Sequence, residues 1–247
     1  MRTLFATTAI ALLVSAGPLQ AFEPSRPECI APAQPGGGFD LTCRIAAEAL
    51  IEGGHITRPM QVSFMPGGIG AIAYNAMNTT RAEDENAIVA FSGGSLLNLA
   101  LGKFGKFDQD DARWVGSVGT DYGAVVVRAD APWASLAELS EAIKKDPKKI
   151  VIGAGGTVGS QDWMKAALLV KSVGVDPRQM RYVAFEGGGE SSTNLLGGHI
   201  QVYTGDISEQ QANLEAGLVR VLAVMAPERL PAPFDQIKTA KIGRAHV

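Results

Sequence analysis

Six times in this chain a short apolar run ends at glycine and gives way to a segment with helical periodicity, and that repetition fixes the fold class. The glycine blocks fall at 35–38, 66–70, 93–94, 153–156, 187–189 and 205. In the first half, CIAPA (29–33), MQVSFM (60–65) and AIVAFS (87–92) read as strands. The helices after them run from Asp40 to about Ile51, through AIAYNAMNTT, and through SLLNLAL. Strands alternating with crossover helices argue for a parallel sheet. WVGSVG and YGAVVVRAD (114–130) then read as two strands with no helix between them, which marks a crossing to a second lobe. The rhythm restarts at Ser135, where Glu138 three residues on makes a capping box and Pro147 follows the helix. KIVIGAGG, RYVAF and IQVYTG are the next strands, each leading into a helix, and VRVLAVMA (219–226) is a last strand returning toward the first lobe. These readings divide the chain into a first lobe at 22–126, completed by 226–247, and a second lobe at 127–225. The hinge is expected near 125–128 and 223–227.

The N-terminal 21 residues carry a different signal. Arg2 precedes the apolar stretch LFATTAIALLVSA, too short to span a bilayer, and a small residue stands at Ala21. This is the pattern of a cleaved export leader, so the mature chain is expected outside the cytoplasm. Removal of Arg2 leaves 21 basic against 25 acidic residues, a formal charge of −4. A mildly acidic chain without a basic stripe offers no footing for nucleic acid or an anionic membrane. Its two cysteines, Cys29 and Cys43, flank the first glycine turn. In an oxidising compartment such a pair reads as a disulfide, with two small buried thiols as the alternative. His55, His199 and His246 are scattered, so no metal site is expected.

Glycine turns before helices have a collective chemical meaning. At the carboxyl ends of strands in an open α/β sheet, helix N-termini aim backbone N–H groups outward and form ready anion sites. Glycine lets an anion approach the main chain with no Cβ in the way. Six such turns divided between two lobes would line one cleft and hold a small carboxylate by its amides. Competing motifs are weaker. GAGGTVG (153–159) follows a strand but is not the dinucleotide fingerprint, and neither a P-loop nor a G-x-S-x-G elbow occurs. Asp40, at a helix start, reads as an N-cap rather than a catalytic acid. Asp206 and Glu186 read as caps or solvated carboxylates.

The blocks PGGGFD, PGGIG, SGGS, GKFGKFD, GAGGTVGS, FEGGGESSTNLLGGHI, GDIS and GLVRVLAVMAPERLP occur in an order that resembles the Bug-type extracytoplasmic solute-binding proteins of tripartite tricarboxylate transporters. The resemblance runs from about residue 28 to about 235. It implies a two-lobed, flytrap-like periplasmic binding protein of type II, each lobe a mainly parallel sheet with flanking helices. It implies no catalysis and no cofactor. It further implies a monomer that takes a di- or tricarboxylate or other carboxylated metabolite and delivers it to membrane permease subunits. By position, the first-lobe clamp would be Gly36, Gly37, Gly38, Phe39 and Asp40, with Gly67 and Gly68, and with Ser92, Gly94 and Ser95. The second-lobe clamp would be Gly155, Gly156, Thr157, Gly159 and Ser160, with Gly188 and Asp206 at the mouth.

Two residues depart from that pattern. Phe39 replaces a small residue, and QDWM stands where a histidine is usual, so the ligand wall differs. Relatives also continue past this ending, and IGRAHV (242–247) resembles a translated sequencing adapter, so a shortened first lobe with exposed apolar surface is expected. The readings from other classes are an exported α/β enzyme using Asp40 or Asp206, and a ligand sensor for a membrane receptor.

Overall fold

The structure, a computed structural model, describes residues 22–240. The leader expected at 1–21 and the IGRAHV ending lie outside them. Two sheets organise the chain. The first has three parallel strands in the order β2 (Gln61–Phe64), β1 (Glu28–Ala31), β3 (Ala87–Val89). Its helices are α1 (Gly38–Glu52), α2 (Ala71–Met77) and α3 (Gly93–Ala100). The second has five strands in the order β6 (Arg181–Phe185), β5 (Val151–Gly155), β7 (Val202–Tyr203), β4 (Ala124–Arg128), β8 (Val219–Val224). Here β4 runs antiparallel to both β7 and β8, while β5 is parallel to β6 and β7. The helices are α4 (Leu136–Lys145), α5 (Gln161–Ser172), α6 (Gly188–Leu196) and the short α7 (Gln211–Glu215).

Strand β4 explains itself from sequence. AVVVR is an unbroken apolar run, as expected of a strand covered on both faces. Its period of two sends Val125 and Val127 into a cluster with Leu139, Ile143, Ile152 and Leu169, and Ala124 and Val126 into one with Leu195, Ile200 and Tyr203. Helices α4 and α5 therefore cover one face of the sheet and α6 the other. Residues 226–240, grouped from sequence with the first lobe, carry Leu230, Phe234 and Ile237 onto this second cluster. Ala240 N–H closes the segment onto the Val224 carbonyl of β8.

One expectation is corrected here. WVGSVG is not a strand. No strand lies beside it among the described residues to take up its amides, and Val115 is 84% exposed. An extended segment without a ladder partner has nothing to hold it as sheet. Val125, Val126 and Val127, in the segment where a hinge is expected, are fully buried inside β4. The passage between sheets lies before Gly123, which bridges to Asp206.

The three-stranded sheet has little core of its own. Cys29, Ala31, Cys43 and Ala90 are buried with Phe39, Val62 and Ile88 packed around them, and a separate aromatic group joins Tyr74, Phe91 and Phe104. Cys29 in β1 and Cys43 in α1 are bonded as expected, with 5.5 Å between their Cα atoms. The bond fastens α1 to the central strand where apolar burial is thin. Reducing it, or replacing both cysteines by alanine, is expected to cost about 3 kcal/mol for a loop of this length. A urea titration with and without reductant reads the loss, and coincident curves would exclude a stabilising role.

Candidate functional site

The glycine turns meet. Gly37 caps α1, and a Cβ built on it would stand 3.2 Å from the amide nitrogen of Gly189, at the start of α6. A Cβ on Gly189 would in turn fall against the backbone of Pro35, Gly36 and Gly37. Two helix N-termini from different sheets thus face each other at main-chain distance, an approach that only residues lacking side chains permit. The other turns gather beside them. Gly94 lies against Gln161 at the start of α5, and Gly155, ending β5, lies against Gly187. Gly156, at φ +81°, has Ile69 from the first sheet beside it.

Ile69 itself adopts φ +53°. A β-branched residue reaches the left-handed region only at a cost of roughly 1–3 kcal/mol, and such strain gathers at binding sites. Its carbonyl accepts the Ser95 hydroxyl at 2.8 Å, which pins the PGGIG turn to α3. Gly67 and Gly68, at φ +133° and +62°, make that turn possible. Ser92 and Ser160 are true N-caps, accepting from the amides of Ser95 and Trp163 respectively. Ser160 also donates to the Gly155 carbonyl, and the Thr157 carbonyl accepts the Ser160 amide. Gly159, at φ +86°, has nothing near its Cβ direction and leaves the turn open on that side.

Asp40 is not the cap of α1. The helix starts two residues earlier, so Asp40 lies in its first turn. From there its buried carboxylate reaches back to the Gly36 amide at 2.8 Å and pairs with Arg44 at 2.7 Å. Phe39 turns into the small core with Cys29 and Cys43.

Four further residues of the site, Lys165, Asp162, Glu209 and Tyr203, carry no sequence signal. Lys165 of α5 is buried and holds both Asp162, at 2.7 Å, and Asp206, at 2.5 Å. Burial alone would depress the ammonium, but the two carboxylates outweigh it and keep Lys165 charged, above its ordinary range. Burial pushes Asp162 up, and the charge of Asp206 adds to the push. Glu209 follows β7, in a 3-10 turn at Ser208–Gln210. Its carboxyl accepts the Gly38 amide at 2.5 Å on one oxygen and the Tyr203 hydroxyl on the other. Burial, then the charge of Asp206, raises Glu209 to about 8, with Asp162 adding to the rise. Tyr203 is fully buried and its phenol is raised well above the ordinary value, first by burial and then by Glu209. Aspartate followed three residues on by lysine is the ordinary pattern of a solvated pair on a helix surface, so nothing in the sequence sets Lys165 apart. Glu209 sits in SEQQANLEAG, whose polar pattern looks solvated.

These features define a class: an α/β protein whose paired glycine-rich helix N-termini, drawn from two sheets, form a cradle suited to an anion. The Tripartite tricarboxylate transporter family receptor profile matches residues 56–244, and the chain belongs to that family. It is 23% identical over 239 residues to a UPF0065 protein of Bordetella pertussis, covering 96% of this chain and 72% of that one. Among solved structures it is similar to MatC from Rhodopseudomonas palustris with bound malate, at 21% identity and a TM-score of 0.72 over 88% of this chain and 72% of that one. It is similar to an R. palustris protein solved with adipate at 20% identity and a TM-score of 0.67, over 88% of this chain and 71% of that one. A TctC solute binding protein from Polaromonas is 30% identical, with a TM-score of 0.54, over 87% of this chain and 72% of that one. The resemblance read from the glycine blocks therefore holds at the level of the family, and the fold is that of the two-lobed periplasmic binding proteins.

Proposed function

We propose that this chain is an exported receptor that captures a small carboxylate between its two sheets and hands it to the permease subunits of a tripartite tricarboxylate transporter. The carrying observation is the meeting of Gly37 and Gly38 with Gly188 and Gly189. At that junction main-chain amides of two helices converge, and one of them, Gly38 N–H, already holds a carboxyl oxygen. Helix N-termini favour anions by dipole and by unpaired N–H groups together. The malate and adipate bound by structural neighbours are carboxylates of the size such a cradle suits. The two acids that an exported hydrolase would draw on are both engaged, Asp40 by Arg44 and Asp206 by Lys165.

A thermal-shift panel of malate, adipate and citrate tests the reading. A ligand at about a hundredfold excess over its Kd stabilises by ~2.7 kcal/mol, and a flat response across the panel would overturn the carboxylate assignment. Gly37→Val tests the site. Gly37 has φ −98°, open to any residue, so valine probes space and not backbone strain. Its branches would enter the gap toward Gly189, and affinity is expected to fall at least tenfold, about 1.4 kcal/mol. Unchanged affinity in that variant would move the ligand elsewhere.

A further inference from the structure

Glu209 occupies the place that the amide cradle reserves for an anion, and it reaches that place from the opposite sheet. Its turn is anchored to the second sheet by a buried network. Ser192 of α6 donates to the Gln210 side-chain oxygen at 3.2 Å, and Asn213 donates to the Ser192 hydroxyl at 3.0 Å. Gln210 is fully buried, which holds the turn to α6. From this fixed base the Glu209 carboxyl crosses to the Gly38 amide at the head of α1. It also stands over the head of α6, where a Cβ on Gly188 would overlap it. Tyr203, whose hydroxyl donates to the second oxygen, is kept in place by Gly205, since a Cβ there would overlap the phenol.

We infer that Glu209 is a tethered carboxyl that latches the two lobes together and that an incoming carboxylate must displace from the Gly38 amide. The displacement part rests on the carboxylate reading above, while the latch stands on the contact alone. Three features favour displacement over permanent closure. The site offers a single main-chain N–H donor that any carboxylate oxygen can use equally well. Burial and neighbouring charge raise Glu209 to about 8, which weakens its hold on the amide relative to an ionised ligand carboxylate. The link is a side-chain to main-chain bond between elements whose other contacts at this point are glycine backbones, so losing it breaks no core.

The test uses the full chain as Glu209→Ala and Glu209→Gln. Nitrogen–proton spectra follow the Gly38 amide, scattering gives the radius of gyration without ligand, and calorimetry with malate gives affinity. In Glu209→Ala, the Gly38 amide proton should move upfield, the ligand-free particle should expand, and malate should bind severalfold more tightly, freed of its competitor. In Glu209→Gln, the side-chain oxygen still accepts from Gly38, so the radius should stay that of the wild type. An unmoved Gly38 amide together with an unchanged radius in Glu209→Ala would overturn the latch. Weaker malate binding in an expanded Glu209→Ala would overturn displacement and make Glu209 a ligand contact. If no variant binds malate, adipate or citrate, the carboxylate reading fails, and the amide shift and radius still decide the latch.

Discussion

Replacing Lys165 by methionine is expected to cost roughly 3–5 kcal/mol, because it leaves two carboxylates without the buried ammonium that pairs them. Asp162 and Asp206 come from different elements, α5 and the turn after β7, and Lys165 is their common partner. Its stem also covers Gly123, where the chain enters the five-stranded sheet, since a Cβ there would fall 2.8 Å from the lysine Cδ. Methionine keeps that apolar cover and removes only the charge. The loss should appear as a lowered urea midpoint at unchanged slope. Adding Asp162→Asn and Asp206→Asn to the methionine variant should recover most of it, because breaking a buried pair costs more than removing the pair entirely. A triple variant no more stable than the single would show that Lys165 matters for packing and not for charge.

Stability is expected to fall as pH rises from mildly acidic to alkaline, with Glu209 the principal cause. The carboxyl titrates near 4.5 when free and is raised to about 8 in the fold by burial and by Asp206. Between those values the folded state holds a proton that the unfolded state has lost. Its contribution is therefore complete below about pH 4.5 and is lost as pH climbs through about 8. At ~1.4 kcal/mol per unit the ceiling is about 5 kcal/mol. Asp162, raised by burial, acts in the same direction, and the Tyr203 phenol stays neutral throughout. Urea midpoints at about pH 5 and about pH 9 should differ clearly in the wild type and much less in Glu209→Gln. Parallel behaviour of the two proteins would exclude Glu209 as the titrating group.

Local pattern made the strands, helices and caps legible. The alternation of apolar runs, glycine and helical periodicity predicted each strand and helix near its place, and Ser135 caps α4 through the Glu138 amide as its motif implies. Where local pattern misled, a partner was missing or a turn began early. WVGSVG has the composition of a strand but nothing to pair with, and α1 starts at Gly38 because Gly37, without a side chain, can cap beside another backbone. The reversed direction of β4 was equally invisible, since an apolar run reads the same in either sense.

By itself, then, the sequence determined the α/β class, the one pairing open to its two cysteines and the set of glycine turns, because each depends on composition or on residues close along the chain. Tertiary structure alone decided which turns face each other, that Lys165 unites Asp162 with Asp206, and that Glu209 lies on the Gly38 amide across 171 residues of chain. Those are contacts between distant segments, and nothing in the local periodicity of a polar helix or turn distinguishes a carboxyl bound for solvent from one that folding delivers to a buried helix end.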